Sequence, residues 1–211
     1  MPRVRLPIAT DRLLLRSLRP GDEDDVLAYR SIPEVVRYIP GGPKTVEQVG
    51  DMVAHSVTAG MLDEHHRHVT LAVQLEDRVV GDVLLKLDGL NGADGRQAEI
   101  GWVLAPDVHG QGYATEAARA ITAVAFDEVG VHRVWAQLEP ANTASARICE
   151  RLGMRREALF EQASWFKGRW TDLAVYAIRA DEWRNALPGT QLDNRHDRGG
   201  HREGSAHDSH T

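Results

Sequence analysis

The sequence has 211 residues, 42% of them apolar, with 25 Lys and Arg against 31 Asp and Glu and a formal net charge of −6. That length suits one domain with an extension better than two full domains, and the apolar share is enough for a hydrophobic core. The negative balance attracts no polyanion globally, so nucleic acid is not an expected partner and any phosphate must be held by local donors.

No stretch approaches the ~18 apolar residues of a membrane span. The opening MPRVRLPIATDRLLLRSL also lacks the unbroken apolar run of a signal peptide. The one cysteine, Cys149, has no partner for an internal disulfide, which fits a reducing cytoplasm.

Arg12 to Leu18 (RLLLRSL) reads as a first strand. Pro20-Gly21-Asp22 makes a turn and a helix start, with acids in the first turn of a helix over Asp22 to Tyr29. Val35 to Ile39 reads as a short helical piece, followed by a break at Pro40-Gly41-Gly42-Pro43. Thr45-Val46-Glu47-Gln48 has the form of a capping box and opens a helix to about Ala59. Neighbouring side chains in His65-His66-Arg67-His68 diverge, so this polar link reads as a solvated loop and no metal is expected.

Thr70 to Leu75 and Arg78 to Leu87 are strands of a hairpin turning at Glu76-Asp77. Asn91 to Gly95 is a turn before a strand over Glu99 to Leu104. After Pro106 comes a loop with Gly110, Gln111 and Gly112, and then a helix buried through Ala114, Ala117, Ala118, Ile121, Val124 and Ala125. Arg133 to Glu139 alternates as a strand, and Thr143 to Leu152 is a helix closed by Gly153. Met154 to Phe160 and Trp170 to Ile178 read as final strands joined by a long loop through Trp165 and Lys167-Gly168-Arg169. Asp181 to Ala186 is a last helical turn. From Pro188 the composition turns polar and His-rich, which predicts a domain over 1–187 and a disordered tail over 188–211.

Two glycines at a strand-to-helix turn suit an anion, because the first amides of the helix have no internal partner and carry about half a positive charge. A dinucleotide fold is one reading, since Gly110-Gln111-Gly112 supplies two glycines of G-x-G-x-x-G and Glu139 ends the next strand. Its third glycine position is Thr115, however, where close helix packing wants a small residue.

The run HGQGYATEA resembles the acyl-CoA loop of the GNAT superfamily of N-acetyltransferases, Q/R-x-x-G-x-G/A, through His109, Gly112 and Ala114. AEIGWVLAP resembles that family's fourth strand, and EPANTASARICERLGM its strand-to-helix segment. WFKGRWTDLAVYAI and TDRLLLRSLRPGDEDDVLAY are similar to the closing and opening segments of the RimJ/RimL-like branch. The resemblance covers about Thr10 to Trp183. It departs at His109, where the family has Gln or Arg and a neutral His offers one donor.

The resemblance implies a GNAT α/β fold, with a central twisted mixed sheet flanked by helices on both faces. It implies acetyl transfer from acetyl-CoA to a primary amine by direct attack. The pantetheine arm would pair with backbone of Trp102, Val103 and Leu104. The pyrophosphate would lie on His109, Gly110, Gln111, Gly112, Tyr113, Ala114 and Thr115. Asn142 holds the family's pantetheine-contacting position and is equally a helix N-cap. Ser145 matches a serine near the thiolate, and Glu99 a general base or an ordinary strand carboxylate. Cys149 falls where many members have a tyrosine acid and reads as a small buried apolar residue. By the same resemblance, Tyr38, Glu99, Trp165 and Trp170 would border the acceptor cleft.

An α-amine near pKa 7.7–8.0 is cheaper to deprotonate than lysine near 10.4, by roughly 2.5 pKa units or ~3.4 kcal/mol. With no obvious strong base, this favours a protein or peptide N-terminal α-amine. A small-molecule amine such as an antibiotic or polyamine, and a non-catalytic acyl-CoA sensor, remain alternatives, and a homodimer is left open.

Overall fold

The computed structural model describes residues 4–58, 67–87 and 96–186. The turn expected at Asn91 to Gly95, the pair His65-His66 and the tail 188–211 lie outside them. Helix α1 (Glu23–Arg30) carries Glu23, Asp24 and Asp25 in its first turn and Arg30 in its last, each complementing the helix dipole. Helix α2 (Val46–Thr58) opens on the expected capping box. The Gln48 N–H donates to Thr45 Oγ1 at 3.3 Å and the Thr45 N–H to Gln48 Oε1 at 3.1 Å.

The strands are β1 (Ile8–Ala9), β2 (Leu14–Ser17), β3 (His68–Leu75), β4 (Arg78–Leu87), β5 (Gln97–Leu104), β6 (Arg133–Leu138), β7 (Arg155–Phe166) and β8 (Arg169–Arg179). Among the described residues they form one sheet in the order β1-β2-β3-β4-β5-β6-β8-β7. Neighbours are antiparallel except β5 and β6, which are parallel. Helix α3 (Tyr113–Val124) makes the β5-to-β6 crossover, as a parallel pair requires. Helix α4 (Thr143–Arg151) follows β6, and α5 (Ala180–Ala186) closes the fold. The helices flank the sheet on both faces, α1 packing with α2 and α3 with α4. No helix among the described residues is long and apolar enough to cross a membrane.

The core runs along the central strands and under α3, with Leu15, Leu71, Leu85, Ile121 and Leu152 buried to 2% exposure or less. One polar knot joins α1 to β4. The Tyr29 hydroxyl donates to Asp82 Oδ2 at 2.8 Å, and Arg30 donates to both Asp82 oxygens at 2.9 and 2.5 Å. Burial, then the neighbouring Asp82 charge, pushes the Tyr29 phenol well above its ordinary pKa.

Three expectations change. The first strand is shorter than Arg12 to Leu18 and is preceded by β1, with which it forms a hairpin. Val35 to Ile39 is a run of turns rather than a helix, since the six residues between Pro33 and Pro40 cannot propagate one. The long loop expected around Trp165 is strand: β7 continues to Phe166 and turns into β8 through Lys167 and Gly168, both with positive φ (47° and 80°). An irregularity between Phe160 and Ser164, where Gln162 has φ 45° and its N–H bonds Asp172 Oδ1, disrupts the period-two pattern and hides the strand from the sequence.

Candidate acyl-CoA and acceptor site

The sheet parts at its one parallel seam. β5 and β6 pair at Gln97↔Arg133, Ala98↔Val134 and Glu99↔Trp135. Beyond Glu99, the remainder of β5 stays paired to β4 and Ala136 to Leu138 stays paired to β8. Gly81 draws β4 onto the open end of β5, for an added Cβ there would stand 2.3 Å from the Val103 carbonyl oxygen. Against the parted end of β5 lies a cavity of about 440 Å³. Its walls come from the end of β5, the loop before α3, the starts of α3 and α4, and the turns around Tyr38.

A single turn of 3-10 helix, Pro106–Val108, leads from β5 into the glycine loop. Gly110 and Gly112 have φ of 77° and 86°, which L side chains rarely adopt, so backbone shape is what requires glycine here. Gly112 is the N-cap of α3 and no side chain caps that helix, whose ladder begins with the Glu116 N–H on the Gly112 carbonyl. Gly112 to Thr115 line the cavity, and the first amides of a helix have no intrahelical acceptor. Thr115 Oγ1, in the same turn, is buried with no hydrogen-bond partner among the described residues. Free helix-start amides and an orphan hydroxyl together fit a diphosphate.

His109, at the mouth of this loop, is also bonded to backbone. Its Nε2 lies 2.9 Å from the Leu104 carbonyl oxygen, so that nitrogen carries the proton and donates. The ring thereby ties the loop to the end of β5. Gln111 also turns from the cavity, its side-chain amide donating to the Asp107 carbonyl at 3.3 Å and its own carbonyl accepting from Arg12 at 3.0 Å.

Of the residues expected at the site, Tyr38, Trp102, Val103, Leu104, His109, Gly110, Gly112, Tyr113, Ala114, Thr115, Asn142 and Ser145 line this one cavity. Asn142 also caps α4, its side chain accepting from the Ser145 N–H at 3.2 Å. Cys149 is fully buried, and burial pushes its thiol up to about 12.

Glu99, Trp165 and Trp170 do not line the cavity. Glu99 sits at the last pair before the strands part, its carboxylate accepting from Gln137 Nε2 at 3.0 Å and lying 3.5 Å from Lys86 Nζ, its partner across β4. Trp165 and Trp170 face each other near the hairpin tip at 5.4 Å, edge to face and more than half exposed. That tip is anchored elsewhere: Lys167 Nζ donates to the Val36 carbonyl at 2.6 Å, and Arg169 Nη2 to Glu139 at 2.7 and 2.9 Å.

Sequence reasoning missed Glu34, Val35, Ile39, Val108, Ala144, Arg147, Ile148 and Arg151, which complete the lining. The α4 set was findable, because Ala144, Arg147, Ile148 and Arg151 recur at the three- and four-residue spacing of one helix face.

Comparison with known proteins assigns this parted parallel pair and uncapped glycine-loop helix to a family of acyltransferases. Residues 12–155 match the family model of the acetyltransferase (GNAT) domain. The uncharacterized N-acetyltransferase YnaD of Bacillus subtilis is 33% identical over 177 residues, covering 83% of this chain and 98% of that protein. A GNAT-family acetyltransferase from Bacillus anthracis superposes with TM-score 0.73 at 32% identity, covering 83% of this chain and 99% of that one. RimJ of Mycobacterium smegmatis, solved in complex with CoA-disulfide, superposes with TM-score 0.66 at 25% identity, covering 86% and 87%. The chain belongs to the GNAT family of N-acetyltransferases.

Proposed function

We propose that this chain transfers the acetyl group of acetyl-CoA to a primary amine by direct attack, within the RimJ/RimL-like branch, and that the favoured acceptor is a peptide or protein N-terminal α-amine. The observation that carries the reading is the single cavity running from the open edge of β5 to the uncapped start of α3. Backbone of Trp102 to Leu104 holds the pantetheine arm, and the loop from His109 to Thr115 holds the diphosphate. Acetyl-CoA supplies the activated acyl thioester. An exposed β5 amide beyond Glu99 serves as donor where negative charge develops on the acyl oxygen. Ser145, on the first turn of α4 and on the cavity wall, gives a proton to the departing sulfur, a role that Cys149 cannot fill from the core.

The α-amine preference rests on the weakness of the base. Glu99 already carries bonds to Lys86 and Gln137. It is the candidate to draw the amine's proton at the apex of the split. About 10% of an α-amine of pKa 8 is neutral at pH 7, against about 0.04% of a lysine amine, so the α-amine asks less of it.

Free-thiol release from acetyl-CoA over a panel of N-terminal peptides, polyamines and aminoglycosides tests the acceptor. Release with peptides bearing a free α-amine, and none with their N-blocked forms, is expected. Release with polyamines or aminoglycosides alone would reassign the enzyme to small molecules. Glu99→Gln should remove the acidic limb of the pH–rate profile, and an unchanged profile would take the base role from Glu99.

A further inference from the structure

Arg12 lies about a hundred residues before α3 and directly against it in the fold. Its backbone N–H and Nε donate to the two carboxylate oxygens of Glu116 at 2.9 and 2.7 Å, and its Nη2 lies 2.6 Å from Oε2. Thr10 Oγ1 adds a bond to the same carboxylate at 2.6 Å. The other arm of the guanidinium, Nη1, donates to the Gln111 carbonyl at 3.0 Å, and the group sits 4.4 Å from the Tyr113 ring centre.

Two physical consequences follow. Glu116 is an anion at the helix end that would receive another anion. Burial pushes its carboxyl up, but the bonds from Thr10 and Arg12 outweigh this and hold it below the ordinary carboxylate range. It is therefore charged, and left alone it would repel a diphosphate. Arg12 cancels that charge within hydrogen-bond distance. The second consequence is orientation. In a trans peptide the C=O and the following N–H point opposite ways. Holding the Gln111 carbonyl on the Arg12 side turns the Gly112 N–H to the other side, and Gly112 lines the cavity while Arg12 does not.

We propose that Arg12 is a positioning residue for the diphosphate of acyl-CoA: it silences Glu116 and fixes the Gln111–Gly112 peptide so that the glycine amide faces the ligand. The proposal rests on the acetyl-CoA reading above. It explains how the loop manages with His109 turned to Leu104: Arg12, from the β1–β2 turn, offsets Glu116 and leaves the loop amides free to hold the diphosphate.

A double-mutant cycle read by calorimetry with CoA tests it. Arg12→Ala should weaken CoA by about 20-fold, the scale of leaving a charged hydrogen-bonded partner unpaired. In a Glu116→Gln background the same substitution should cost only about threefold, the scale of the one bond to Gln111. Glu116→Gln alone should bind within about twofold of the unaltered protein, because Arg12 already hides that charge. Arg12 variants that bind CoA like the unaltered protein, or that lose equally in both backgrounds, overturn the proposal. Arg12→Lys, which keeps charge without the fork, should fold and lose about threefold; a 20-fold loss there refutes the charge role even where Arg12→Ala is too unstable to measure. If the unaltered protein fails to bind CoA, the acetyl-CoA reading itself falls, which is a distinct result.

Discussion

Replacing Gly112 by alanine and by aspartate separates backbone shape from charge in the glycine loop. The position holds φ 86°, where an L residue costs roughly 1–2 kcal/mol. The new Cβ would stand 3.4 Å from Arg12 Nη2, a contact the side chain can yield to. The alanine loop relaxes toward negative φ and turns its amide off the ligand, so CoA affinity should fall by about 5- to 30-fold. Aspartate adds a charge. At ~5 Å from a phosphate and an effective dielectric of ~20, each such pair repels by about 3 kcal/mol before screening, which takes the loss beyond about 100-fold. Part of that excess should return in 1 M salt, where the Debye length shrinks to about 3 Å. Titration calorimetry with CoA at low and high salt reads both terms, with thermal melts to show that the variants are folded. Unchanged affinity, or equal losses for alanine and aspartate at both salts, would remove the diphosphate from this loop.

Asp82→Ala should destabilise the fold by about 3–5 kcal/mol, because it strands the largely buried Arg30 guanidinium and the Tyr29 hydroxyl; a urea midpoint within error of the unaltered protein would contradict this. Cys149, with its thiol pushed up to about 12 by burial, should resist thiol reagents at neutral pH until the chain unfolds, and Cys149→Ala should leave turnover unchanged. Burial raises the Asp22 carboxyl, yet bonds from Arg16 and the Arg19 amide bring it below its ordinary value. Its folded pKa is therefore the lower one, so its contribution is full above the unfolded value of about 3.9 and fades as pH falls through the folded value. The stability gap between the unaltered protein and Asp22→Asn, measured in urea, should be full at pH 7 and shrink below about pH 4. A gap undiminished at pH 2 would refute the assignment.

Local chemistry was legible where one short segment decides the structure. The capping box at Thr45, the Glu76-Asp77 hairpin and the glycine loop all appear as the sequence reads. The cavity-lining residues between Trp102 and Thr115 were legible for the same reason, since that stretch is continuous. What stayed hidden depends on distant partners. The tie between Arg12 and Glu116 spans about a hundred residues and exists only once β1–β2 lies beside α3. The tie from His109 to the Leu104 carbonyl stayed hidden because it exists only once the turn after β5 is formed. The strand through Trp165 was lost because the irregularity at Phe160 to Ser164 breaks the alternation on which strand recognition relies.

Hydrogen–deuterium exchange with and without CoA tests most directly where acyl-CoA lies. Trp102 to Leu104 lie where β5 has lost β6 on one side while keeping β4 on the other, and Gly110 to Thr115 precede the first intrahelical bond of α3. CoA should slow exchange there by an order of magnitude or more, and leave the hairpin tip around Trp165 and Trp170 unchanged. Protection at the hairpin with none at the glycine loop would contradict the placement of the cofactor between the parted strands.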